Sequence, residues 1–409
     1  MEFELSKKQL ELKENLNQLG KYVIRPMSLQ MDREHTVPEE FLKRFVAMSK
    51  TVRNDDDLAA AFGEGKREPP SLEKPSFVNR TSMIGAEELA WADASVLLCL
   101  PGPGLGGPPI RATGTAEQKQ HWFGMIDEID KKGGLAWGAY GLTEPSAGSD
   151  VSAIRSTCRK DGKHWVINGR KCYITNGARA IWCVIFASVD LSQGRAGQRA
   201  FVVEKGTPGF TVGKIEEKLG LRASETAELV LEDVRVPEEN LLGGEGAYES
   251  KSTGFQTAMK TFDATRPLVA SMALGIGRAA YEYARDAVKD RYMLGRPIGR
   301  YHALVERLAR MHRRLESARM LTWQATYMAD VGKPNAKEAS MSKAAAAQAA
   351  TRACIDAIEI VGAEGTIAKE DQLLEKWFRD IKVYDIFEGT GQIQRVVISK
   401  RILTDLRSF

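Results

Sequence analysis

Eight apolar residues fall on one stripe of a single long segment. Leu304, Leu308, Met311, Leu315, Ala318, Leu321, Ala325 and Met328 follow one another at three- and four-residue steps over 25 residues. Only an α-helix returns side chains to one face at that period, so the stripe predicts a long amphipathic helix that must pack against a partner. A second long helix is predicted from Lys337 to Val361, alanine-rich at residues 344–347, with Gly362 placed to cap it. Antiparallel neighbours of this length make a bundle. The first third of the chain is helical too. Leu10, Leu12, Leu16 and Leu19, then Phe41, Leu42, Phe45 and Val46, carry the pattern from Ser6 to Ser49, and it resumes from Ser82 to Leu98. Residues 101–109, PGPGLGGPP, must break it.

Between these helical regions the period changes. Residues 165–167, 172–175, 181–189, 201–203 and 228–231 are short β-rich runs. Asn168-Gly169 and Asn176-Gly177 read as hairpin turns between them. The expected fold is therefore mostly α with an inserted β domain. It has an N-terminal helical domain (1–137), a middle β-barrel or sandwich domain (138–245) and a C-terminal four-helix bundle (246–409).

Composition narrows the function. Lys plus Arg is 58 and Asp plus Glu is 54, a net charge of +4 that does not suggest nucleic acid as a partner. The five cysteines form no CxxC and the five histidines no ligand spacing, so neither a disulfide framework nor a metal site is expected. No apolar run approaches the ~20 residues of a membrane span. The N-terminus, MEFELSKK, has early acids and no apolar core. It reads as neither a signal nor a transit peptide, and the chain as cytoplasmic. Residues 53–75 are charged and rich in Gly and Pro; they read as a solvated loop, with a lid or a docking surface as the functional alternatives.

Four polar clusters interrupt this plan. Residues 140–150, YGLTEPSAGSD, are dense in hydroxyls and small residues that suit a planar or phosphorylated ligand. Tyr173 and Thr175 share a strand face. Phe262-Asp-Ala-Thr-Arg-Pro places an acid and a base in a helical region, which alone reads as a surface ion pair. In residues 385–395, DIFEGTGQIQR, Glu388 stands beside Phe387 and Gly389. An acid with apolar neighbours has a raised pKa, as a base for carbon acids needs.

Together these segments resemble the acyl-CoA dehydrogenase family. LTEPSAGSD at 142–150 matches its LTEPxAGSD signature, INGRKCYITNG at 167–177 its INGxKxWITNG segment, and FEGTGQIQR at 387–395 its YEGTxQIQR segment. The resemblance runs over nearly the whole chain. It implies non-covalent FAD, an acyl-CoA thioester substrate and α,β-dehydrogenation to the trans-2-enoyl-CoA. Electrons would pass to electron-transfer flavoprotein, and the assembly would be a homotetramer or a mixed tetramer. By motif position Glu388 is the base that takes the α-proton, and hydride goes to flavin N5. Some members carry the base on the preceding helix, where this chain has Thr265. Tyr140, Leu142, Thr143, Ser149, Tyr173, Thr175, Arg291, His302, Glu359, Gly362, Thr390 and Gln392 are the implied FAD contacts. Ser149, Asp263, Arg266 and Gly389 are the implied substrate contacts, and no metal is implied.

The chain also departs from the family. Tyr173 stands for Trp, Leu294 for Phe, His302 for Gln, Glu359 for Gln and Ala363 for Gly. An acid at 359, near the FAD pyrophosphate, needs a compensating cation. The proline-rich residues 101–109 lie where the family shapes its acyl pocket, and suggest a branched, cyclic or otherwise unusual acyl group. An oxidase on the same fold, or a non-catalytic or half-site subunit of a mixed tetramer, are the alternatives.

Overall fold

The computed structural model describes residues 4–52, 71, 76–249, 253–369 and 372–406. The charged stretch at 53–75 lies outside them, apart from Ser71. Among the described residues seven α-helices precede the sheet: α1 (Lys7–Leu19), α2 (Arg25–Glu34), α3 (Glu39–Val52), α4 (Val78–Ala92), α5 (Val96–Cys99), α6 (Gly107–Thr113) and α7 (Ala116–Lys131). Ser6 with Gln9 and Thr115 with Gln118 close capping boxes that start α1 and α7. The prolines of 101–109 act in two ways. The chain leaves helix after Cys99, and Pro108 and Pro109 then open α6, where a missing N–H costs nothing.

Seven strands follow: β1 (Gly138–Gly141), β2 (Thr157–Asp161), β3 (His164–Thr175), β4 (Trp182–Ser188), β5 (Gln198–Glu204), β6 (Phe210–Ile215) and β7 (Thr226–Pro237). Their order is β1-β4-β2-β3-β7-β6, with β5 also on β4. Every residue of β4 is buried, so it reads as one continuous apolar run rather than an alternating one. The two Asn-Gly pairs do not make hairpins. The β2–β3 turn is Gly162-Lys163, since Asp161 pairs His164. Gly169 lies inside β3 at a register shift, where a Cβ would fall 2.7 Å from the Ser156 Cα. A bulge selects glycine for the same reason a turn does, so the sequence signal is shared. Asn176-Gly177 ends β3, but the next strand, β4, is not its neighbour.

The C-terminal part holds α8 (Thr253–Asp290), a two-strand hairpin β8 (Tyr292–Met293) and β9 (Arg296–Pro297), then α9 (His302–Asp330), α10 (Ala336–Val361), α11 (Leu374–Tyr384) and α12 (Gly391–Leu406). The predicted stripe is the inner face of α9: Met311, Leu315, Ala318 and Ala325 are buried. α8 packs against both α9 and α10, and also against α4.

A buried charge cluster ties the parts together. Lys376 of α11 lies 2.9 Å from Asp93 and 2.6 Å from Asp380, and all three are buried. Ser28 of α2 donates to Asp93. The backbone N–H of Leu221, before β7, donates to Asp380 at 2.7 Å. Beside it Gly220 meets α11 directly: a Cβ there would lie 2.3 Å from the Arg379 carbonyl oxygen. Among the described residues no helix is long and apolar enough to cross a membrane.

Candidate active site

Glu388 sits in the turn between α11 and α12. Its φ is 54° and that of Gly389 is 95°, so two successive residues take left-handed backbone. Side chains from two helices hold this turn. Gln394 Nε2 of α12 donates to the carbonyl oxygens of Glu388 (3.2 Å) and Gly389 (3.0 Å). Lys343 Nζ of α10 donates to the Gly389 carbonyl at 2.8 Å. The Gly391 N–H closes the loop onto the Asp385 carbonyl at 3.0 Å.

The carboxyl group faces α8 and β1. Thr265 Oγ1 donates to Glu388 Oε2 at 2.5 Å. Burial pushes the Glu388 pKa above the usual carboxylate range; the Thr265 bond and the charges of Arg266 and Lys343 pull the other way. Tyr140 comes from β1, packed between Phe186 (ring centroids 5.3 Å) and Phe262 (6.1 Å). Its hydroxyl is buried without a hydrogen-bond partner. Burial, and then the charge of Glu388, raises the Tyr140 pKa. A base, a neutral hydroxyl and two cations therefore converge on one spot.

Arg266 is not the exposed ion-pair residue its sequence context suggests. It is buried, its guanidinium over the Phe262 ring at 5.7 Å, and Nη1 donates to Ser340 Oγ at 3.4 Å. Asp263 lies one turn earlier on α8; its side chain is outside the described residues. Gly389 adjoins Glu388 in the turn.

A second wall is built from strand ends. The Cys172 N–H donates to the Thr143 carbonyl at 3.0 Å, which sets Thr143 beside the end of β3. Below it Lys171 and Glu144 form a buried pair at 2.6 Å, with Glu144 also accepting from the N–H groups of Arg155 and Ser156. Above it Tyr173 stands 66% exposed with φ 60°, and Thr175 and Thr143 are half-buried. Leu142 is buried beneath and Ser149 is exposed at the rim. An open aromatic ring with hydroxyls at its border and the unpartnered Tyr140 hydroxyl suit a flat group with a polar edge, as an isoalloxazine is.

The remaining predicted contacts fall elsewhere. Arg291 Nη1 donates to the Val361 carbonyl at 2.7 Å and Nη2 to Glu364 Oε2 at 2.5 Å. Gly362 ends α10 with φ 80°, and His302 is exposed where α9 opens. The cation that Glu359 needs is Arg307, its ion-pair partner. Thr390 Oγ1 accepts from the Ile393 N–H at 3.3 Å, starting α12, and Gln392 is exposed. Lys343 and Val361 lie 18 residues apart on α10, about 27 Å along the axis. Arg291, Gly362 and Glu359 thus form a group remote from Glu388.

Lys343, Gln394 and Arg307 were not singled out in the sequence, and Thr265 was set aside. One signal was available: Lys343 is a cation on the alanine-rich face of α10, between Ser342 and Ala344.

Comparison with known proteins identifies the family and its fold. Residues 139–234 match the acyl-CoA dehydrogenase middle domain and residues 252–403 its C-terminal domain. The chain is 38% identical to the mitochondrial short-chain specific acyl-CoA dehydrogenase of Mus musculus, over 94% of this chain and 87% of that protein. It is 40% identical to cyclohexane-1-carbonyl-CoA dehydrogenase of Syntrophus aciditrophicus, over 78% and 80%. The structure of butyryl-CoA dehydrogenase from Megasphaera elsdenii superimposes with a TM-score of 0.85 at 32% identity, covering 98% of this chain and 100% of that one. The chain belongs to the acyl-CoA dehydrogenase family, oxidoreductases that act on CH–CH groups with FAD as cofactor.

Proposed function

We propose that this protein dehydrogenates a short or compact-ring acyl-CoA between Cα and Cβ, with Glu388 as the base. The observation that carries the reading is the Glu388 carboxyl, aimed by a left-handed turn and bonded to Thr265 in a buried setting that raises its pKa. A thioester α-proton is weakly acidic, so its base must be poised and placed before the reaction begins.

The flavin, when bound, accepts the β-hydrogen as hydride. The chain's own residues do the rest. Glu388 takes the α-proton. Thr143, Tyr173 and Thr175 would hold the ring, and Arg266 and Ser149 would meet the CoA part. Arg291, Gly362, Thr390 and Gln392 would hold the remainder of FAD. Because Arg291 and Gly362 stand far from Glu388, unlike Thr390 and Gln392, that pair is best placed to serve the cofactor of a neighbouring copy, which supports a tetramer. The Arg307–Glu359 pair removes the charge conflict that favoured a half-site subunit. Electron-transfer flavoprotein is the expected acceptor.

The acyl group is read from two supports. The relatives above are named for short-chain and cyclohexane-carbonyl substrates. Next to the base, Phe387 packs edge-to-face on the buried Tyr384 with ring centroids 5.0 Å apart, which fixes the bulky side chain that precedes Glu388 and suits a compact acyl group over a long chain.

The test is anaerobic mixing of the purified flavoprotein with butyryl-, isobutyryl-, cyclohexanecarbonyl- and octanoyl-CoA, beside Glu388→Gln. Wild-type bleaching of the flavin, lost in the variant, is expected. Octanoyl-CoA as the best substrate by kcat/KM would remove the acyl assignment, and a fully active Glu388→Gln would remove the base.

A further inference from the structure

Three lysines among the described residues are fully buried, and they are not alike. Lys376 lies between Asp93 and Asp380, and Lys171 lies against Glu144. Lys343, 0% exposed, has no carboxylate within ion-pair distance among the described residues. One of its three donors goes to the Gly389 carbonyl oxygen at 2.8 Å. A buried ammonium held by a single carbonyl is costly unless an opposite charge stands close by. The charges that favour its protonated form are Asp385 and Glu388, four and one residues before that carbonyl in sequence.

The placement is built into α10. Ser340 and Lys343 are three residues apart and share a helix face. Ser340 receives Arg266 from α8, and Lys343 receives the turn. The groups whose charge or bonding acts on the Glu388 carboxyl are thus Thr265 and Arg266 from α8, Lys343 from α10 and Tyr140 from β1, while the hydroxyl of Tyr384 at the end of α11 is turned to the Ala94 carbonyl. Lys343 also bonds the backbone beside Glu388, at the Gly389 carbonyl. Gln394 grips that carbonyl and the one of Glu388, but as a neutral amide.

We propose that Lys343 is a positioning residue for the α-proton transfer: its ammonium pins the Gly389 carbonyl, so fixing the turn that aims Glu388, and its charge keeps the carboxylate ionised in a water-poor site. This rests on Glu388 being the base. Burial lowers the Lys343 pKa to about 8, so the ammonium is in place below that pH.

The experiment is the pH profile of kcat/KM for the holoenzyme with butyryl-CoA, in wild type, Lys343→Met, Lys343→Gln and Gln394→Met. Loss of the charge leaves Glu388 harder to ionise, so the acid limb of both Lys343 variants should move up by about one pH unit. Gln394→Met should lower kcat and leave the acid limb where it is. Flavin content is read alongside, so that Lys343→Gln, which keeps a donor, stands in if Lys343→Met loads poorly. An unmoved acid limb in a flavin-loaded variant, or failure of both variants to hold flavin, would assign Lys343 to the scaffold and overturn the proposal. Glu388→Gln separates the two readings: if it still bleaches with thioester, the base assignment fails; if it is inert and the Lys343 limb is unmoved, only the role of Lys343 fails.

Discussion

Thr265 Oγ1 donates a hydrogen bond to Glu388 Oε2 at 2.5 Å, across 123 residues of chain. A donor aimed at a carboxylate favours its ionised form, so under the proposed function the α8 hydroxyl tunes the base.

Thr265→Val keeps the shape and removes the donor. The Thr265 bond lowers the Glu388 pKa, so its loss should raise that pKa and carry the acid limb of kcat/KM upward. Below that limb a charge-assisted bond of ~1.5 kcal/mol corresponds to roughly a tenfold loss. Thr265→Ser should stay near wild type. A pH–rate profile that Thr265→Val leaves unchanged would show the bond is absent in the working enzyme.

Lys376→Met leaves Asp93 and Asp380 facing each other without the cation between them. Breaking a buried pair in this way costs about 3–5 kcal/mol. Urea unfolding of the holoprotein should show a much lower midpoint, since the cluster joins α2, the β7 approach and α11. A loss under about 1 kcal/mol would mean the carboxylates find other partners.

Asp330 ends α9 and receives the N–H groups of Asn79 (3.0 Å) and Arg80 (3.2 Å) at the start of α4. Burial pushes its pKa up to about 6, against those hydrogen bonds. With an unfolded value near ~3.9, the native state holds the extra proton between about pH 4 and 6. Its contribution to stability is therefore full below pH 4 and is lost as pH rises through 6. Asp330→Asn removes this titration, so the variant should gain on wild type as pH climbs from 4 to 7. A wild-type-minus-variant difference that stays constant over that range would refute the assignment.

Much of the fold was legible because its period is strong. The α9 stripe, the alanine-rich α10 and the apolar β4 stand where spacing placed them. Strands β1, β2 and β6 were missed: β1 is four residues with two glycines, β2 is largely exposed and polar, and β6 is largely exposed with a glycine in its middle. Propensity is silent where a strand is held by its neighbours rather than by its own side chains. In the site, motifs led to Glu388, Thr143, Tyr173 and Arg266. Lys343 stayed hidden because its partner is a backbone carbonyl 46 residues away, and no sequence pattern marks a carbonyl. Thr265 was weighed only as a stand-in for the base; its bond to Glu388 spans 123 residues and is set by the fold, not by a local pattern.

The contact at Gly220 has a bearing on how firmly the Glu388 turn is held. A side chain is missing on one surface so that the loop before β7 can lie directly on the α11 backbone, with the Leu221 N–H and the Arg379 guanidinium bonded across the joint. Two lobes that meet main chain to main chain have no thickness in which to swing. No side chain lies at this point that could repack to let the loop slide, so Gly220 locks the sheet's last long strand to the helix that leads into the Glu388 turn.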